Sequence, residues 1–156
     1  MKLKTVRAIA GAVLLSLLLL LSSCGGAEVE PRAVLRDFCR IYSMEARIFD
    51  SGAAPDSEEY IDGQTVTTVF CAPLPVGVDF ALALHSKLGS VREVGVFRAG
   101  SSSDSYELIR LIEERLGYLS SADPSGEPFI FRRGGILAYG FLEDGDRAEE
   151  LLRSLL

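Results

Sequence analysis

Residues 129–142 read FIFRRGGILAYGFL, and the fold turns on how they are read. Phe129-Ile130-Phe131 and the run from Ile136 to Leu142 are apolar, and Gly134-Gly135 stands between them. The two-residue turns that join antiparallel strands need positive φ, which glycine adopts without steric cost. The segment therefore predicts a β-hairpin, and the turn sets its register: Phe131 faces Ala138 and Phe129 faces Gly140. Arg132 and Arg133 fall at the tip, either as solvated turn residues or as contacts for an acidic partner or wall polymer.

Upstream, Asp123-Pro124 and Ser125-Gly126 mark a loop. Before it Leu108, Leu111, Ile112, Arg115, Leu116 and Leu119 share one helical face. Asp104 with Glu107 three residues on gives that helix a capping-box start. Gly100 to Ser103 reads as a linker, since it lacks the glycine spacing of a phosphate loop and Asp104 already occupies the positive helix end. Val91 to Arg98 predicts a strand centred on Val94-Gly95-Val96-Phe97. Asp79 to Leu88 fits a helix or a strand, and the alternation of Phe80, Leu82 and Leu84 with alanines favours the strand.

Nearer the start, Thr65 to Phe70 is rich in β-branched residues and predicts a strand ended by Pro73 and Pro75. Pro31 suits a first helical turn, and the spacing of Val34, Phe38, Ile41, Tyr42, Glu45 and Ile48 carries that helix to about Phe49. Downstream of the hairpin, Asp146 and Glu149 repeat the capping pattern and open a helix striped by Leu151, Leu152 and Leu155. Strands in consecutive pairs with amphipathic helices between them define an α+β domain over residues 32–156. Its predicted core is a single, mainly antiparallel sheet with helices packed on one face.

The chain opens differently. Lys2, Lys4 and Arg7 precede an apolar stretch from Ala8 to Leu21, the layout of a signal peptide and shorter than the roughly 20 residues a spanning helix needs. It ends in Leu21-Ser22-Ser23-Cys24, which resembles the lipobox of bacterial lipoproteins. The resemblance implies that Leu21, Ser22 and Ser23 are read by the signal peptidase, that residues 1–23 are removed, and that Cys24 carries lipid. Residues 24–31, with Gly25 and Gly26, would then tether the domain to the extracytoplasmic face of the cell membrane.

Loss of the leader removes three of the 16 basic residues and none of the 22 acidic ones, leaving a net charge of −9. Such a charge argues against nucleic acid as a partner, and against a protein face lying on anionic lipid. With Cys24 lipidated, Cys39 and Cys71 are the cysteines left, either a disulfide or two small buried residues. His85 is the sole histidine. A Cys71–His85 nucleophile and base has no local signature, and a zinc site on His85, Cys39 and Cys71 lacks both a fourth ligand and close ligand spacing. Glu143-Asp144-Gly145-Asp146 clusters hard oxygen ligands without the spacing of a calcium loop. No cofactor or metal is expected.

From Phe80 to Leu156 the chain resembles a family of small lipoproteins of anaerobic Gram-positive bacteria known only as a domain of unknown function. The resemblance lies in VREVGVFRAG, the helix SYELIRLIEERLGYL and the closing FIFRRGGILAYGFLEDGDRAEELL. It implies an envelope location and this architecture, and no mechanism. The function expected is a non-enzymatic binding or scaffold module meeting an envelope protein or wall component. A small solute-binding lipoprotein is the alternative, and a thiol-dependent enzyme ranks below both.

Overall fold

A computed structural model describes residues 29–156. Leu21, Ser22, Ser23, Cys24 and most of the tether lie outside the described residues. The elements are α1 (Pro31–Tyr42), β1 (Ala46–Asp50), α2 (Gly63–Phe70), β2 (Asp79–His85) and β3 (Glu93–Arg98), then α3 (Ser102–Ala122), β4 (Glu127–Arg133), β5 (Ile136–Leu142) and α4 (Gly145–Leu155). The strands form one antiparallel sheet in the order β1-β2-β3-β5-β4, so the fold is α+β as the sequence predicts. The hairpin has the expected register, Phe131 opposite Ala138 and Phe129 opposite Gly140. Of its two turn glycines only Gly134 has positive φ (59°), the pattern of a type II′ turn. Asp79 to His85 is a strand, which resolves the ambiguity there.

Two elements depart from the expectation. The first helix stops at Tyr42 instead of Phe49, because Ser43 turns left-handed (φ 63°) and Met44 N–H closes on the Cys39 carbonyl. Ala46 to Asp50 then pairs with β2 as an edge strand. Thr65 to Phe70, expected as a strand, belongs to helix α2. Asp62 caps it by accepting the Thr65 N–H at 2.6 Å, and Thr67 and Thr68 turn their hydroxyls back to the Gly63 and Gln64 carbonyls. Val66 and Phe70, four apart, are buried together. The helical penalty of β-branching is only tenths of a kcal/mol per residue, so one cap and two buried side chains override it.

The layering also differs. Helices were expected on one face of the sheet, and they cover both. One layer sets α1 and α4 over Ala81, Ala83, Val94, Val96 and Ala138, small residues that let helices approach closely. The other sets α2 and α3 over Phe80, Leu82, Phe97, Leu137, Tyr139 and Phe141. The physical reason lies in β5: all seven of its residues are buried, so each face needs a cover.

The two sheet edges are finished differently. On β1, Asp50 N–H donates to the Glu59 carbonyl at 2.8 Å and Asp50 bridges Tyr60, so the 51–62 segment meets that edge at its Asp50 end. Among the described residues, no strand pairs with the outer side of β4.

Candidate functional site

The most concentrated chemistry sits inside the α3 layer. Glu93, at the start of β3, is 2% exposed, and its carboxylate accepts hydrogen bonds from Arg115 Nε at 3.0 Å and Nη2 at 2.6 Å. Tyr139 donates its hydroxyl to Glu93 Oε1 at 2.7 Å, while Arg115 Nη1 donates to the Val69 carbonyl of α2 at 3.2 Å. Burial, then the neighbouring Glu93 charge, holds the Tyr139 hydroxyl well above its ordinary range, so it stays a donor. Burial alone would weaken the Arg115 charge, but the Glu93 hydrogen bond and charge outweigh it and raise its pKa. Phe70 and Phe97 pack their rings around Tyr139. Each polar end is matched to another, so this cluster clamps α2 and α3 to the sheet and leaves no reactive group free.

The residues singled out by sequence do not converge. Cys39 is buried on α1, whereas Cys71 is exposed at the end of α2 in the layer on the other face, and both thiols are free, so of the two readings left open by the sequence the disulfide is not formed and only Cys39 is a buried residue. Burial pushes the Cys39 thiol up to about 11. Cys71 borders a hollow of about 290 Å³ with Thr68, Arg115 and Tyr118. His85 Nδ1 accepts the Lys87 N–H at 3.1 Å and lines separate hollows beside Arg92 and Glu143. Among the described residues, no three histidine, cysteine or acidic groups are placed to hold a metal ion.

The remaining candidates are accounted for locally. Asp144, rather than Asp146, caps α4 by accepting the Arg147 N–H, and Ser101, rather than Asp104, caps α3 by accepting the Asp104 N–H. The local signals were right in kind and displaced by two or three residues. Arg132 Nε donates to the Gly134 carbonyl and Arg133 Nη1 to the Arg153 carbonyl at the end of α4. Arg92 lies over the Phe141 ring, donates to Ser125 at 2.7 Å and holds Nη1 3.2 Å from Asp123 Oδ2. That last contact is ionic only, since no N–H of Nη1 is aligned with an acceptor.

The feature sequence reasoning missed is a trough of about 660 Å³ along the open edge of β4. Its floor is Glu127, Pro128, Phe129 and Ile130; α3 supplies one wall with Glu113, Gly117 and Ser120, and α4 the other with Asp146 and Glu149. On α3 these wall residues recur at steps of four and three, about two turns along a single face. Glu127 Oε2 accepts the Gly145 N–H at 2.8 Å and Glu149 pairs with Arg153. Among the described residues, the carboxylates of Glu113 and Asp146 have no hydrogen-bond or ion-pair partner. Gly117 offers the signal that could have been found: a mid-helix glycine whose absent Cβ would meet nothing within 4 Å. Among the described residues no helix is long and apolar enough to cross a membrane. No protein-family model, curated protein or solved structure matches this chain.

Proposed function

We propose that this protein is a membrane-anchored, extracytoplasmic lipoprotein whose domain acts as a non-enzymatic binding or scaffold module in the cell envelope. The observation that supports binding is the trough on β4: a sheet edge that, among the described residues, is uncovered and lies between two helical walls with two unpaired carboxylates and a glycine facing open space. A binding module needs a persistent shaped surface. The antiparallel sheet and the Glu93–Arg115 clamp supply rigidity without reactive groups. The lipobox-like Leu21-Ser22-Ser23-Cys24 supports the envelope location.

The test is photo-crosslinking in intact cells from position 120 inside the trough and position 87 outside it. A defined adduct from position 120 that is missing from position 87 supports the reading. Equal labelling from both positions, or none from position 120, counts against it.

A further inference from the structure

We infer that the trough takes an extended, basic peptide segment of a partner protein, which adds as a sixth strand to the outer edge of β4. This rests on the binding-module reading above and names its partner chemistry. The backbone phase of β4 carries the argument. In a two-residue hairpin the residues flanking the turn form a hydrogen-bonded pair, so Arg133, Phe131 and Phe129 bond inward to β5. The same alternation runs through the sheet: Ala99 N–H bonds the Gly135 carbonyl, His85 N–H the Arg92 carbonyl, and Asp50 N–H points outward to Glu59. By that phase Ile130 and Arg132 aim both N–H and C=O at the trough side, and Pro128 aims its C=O. Pro128 has no donor to offer, so the usable ladder starts at Ile130.

A bare sheet edge is a template for another strand, and proteins commonly cover or blunt it. Here β1 is met at its Asp50 end by its own chain, whereas β4 has no such backbone contact along its outer edge among the described residues. The partner's charge follows from the walls. Glu113 and Asp146 stand on opposite sides without a counter-ion among the described residues, and Glu127 lies on the floor between them. Alternate side chains of an added strand point to opposite faces of the sheet, one set toward α3 and the other toward α4, so lysine or arginine on either set meets a carboxylate. Gly117 then has a reason: a mid-helix glycine is costly relative to alanine, and its bare backbone leaves room for a strand to lie against α3.

The test uses the full chain in detergent and a fluorescein-labelled peptide in which pairs of lysines alternate with pairs of valines, so that each face of the added strand carries lysine, followed by anisotropy at low salt. We expect saturable binding, weakened about tenfold or more when alternate peptide nitrogens are methylated, since several ladder bonds are lost together. A glutamate–valine peptide should not bind. Glu113→Gln and Asp146→Asn should each weaken binding about threefold, with the difference fading at high salt. Gly117→Leu should block binding while leaving thermal stability equal or higher, since the position is open. Ile130 and Arg132 amides should gain protection from hydrogen exchange with peptide bound. Methylated peptide binding as well as the parent would overturn strand addition, and equal binding of the acidic peptide would overturn the charge assignment. Failure of every peptide also overturns the inference; an adduct from position 120 would then show that the binding-module reading survives it.

Discussion

Replacing Arg115 with Met tests the clamp on which the shape of the domain depends. The substitution keeps the length of the side chain and removes the charge, leaving the 2% exposed Glu93 carboxylate with the Tyr139 hydroxyl as its remaining donor. Breaking a buried pair from one side costs about 3–5 kcal/mol, because the surviving charge stays desolvated. Arg115 keeps about a fifth of its side-chain surface in contact with solvent, so water can reach the vacated space and the lower end, about 3 kcal/mol, is expected. Removing Glu93 as well, as Glu93→Gln with Arg115→Met, eliminates the stranded charge. The double variant should therefore recover at least about 1 kcal/mol relative to Arg115→Met alone, a coupling that only contacting residues show. Urea unfolding followed by circular dichroism gives these differences from the midpoints at unchanged slope. A loss below about 1 kcal/mol for Arg115→Met, or strict additivity in the cycle, would refute the claim that Glu93 is held as a buried anion.

Other outcomes follow from single contacts. Cys39 has its thiol pKa raised to about 11 in the fold against 9.0 unperturbed, so its contribution is intact below pH 9 and is lost as pH rises through 11. Discounted for partial exposure this is about 1–2 kcal/mol, and urea midpoints of Cys39→Ala should fall less steeply over that window than those of the parent chain. Gly95→Ala should destabilise by roughly 1–3 kcal/mol in thermal melts, since a Cβ there would sit 2.2 Å from the Tyr139 ring. Asp62→Ala removes the α2 cap and should lower the melting temperature in the same assay. Cys24→Ala should abolish lipid labelling and leave an unprocessed precursor, and labelling that persists would sink the lipoprotein assignment.

How much of this could be read from sequence depends on how local each signal is. Gly134-Gly135 decided the hairpin and its register because a tight turn needs only its own residues. The 102–122 helix was legible from its apolar spacing over several turns. Thr65 to Phe70 was misread because a six-residue window of β-branched residues carries less free energy than the Asp62 cap and the burial of Val66 and Phe70. The two-faced sheet had a visible trace: ILAYGFL contains no polar residue on either alternation, the mark of a strand covered on both sides. The clamp was hidden because Glu93, Arg115 and Tyr139 are separated by more than 20 residues pairwise, and they meet only through the β3–β5 pairing and the packing of α3 on the sheet. The trough was less legible still, since an open edge is defined by what does not pair with it.

Clamp and trough are nevertheless one construction. Arg115 reaches into the layer while Glu113 and Gly117, two residues to either side, turn outward to the edge of β4. A helix is rigid over such a distance, so the ion pair that fixes the rotation of α3 also fixes how far its wall stands from the strand. Across the floor the opposite wall is pinned as tightly: Glu127 of β4 accepts the Gly145 N–H at the start of α4, and a Cβ at Gly145 would fall 2.8 Å from the Glu127 Cβ. Both walls are thus tied to the sheet at residues adjacent to the trough, and its width follows from contacts that stabilise the fold. On the binding-module reading proposed above, such a trough would bind by shape and charge held in advance, with the ordering cost of the wall residues already met by folding.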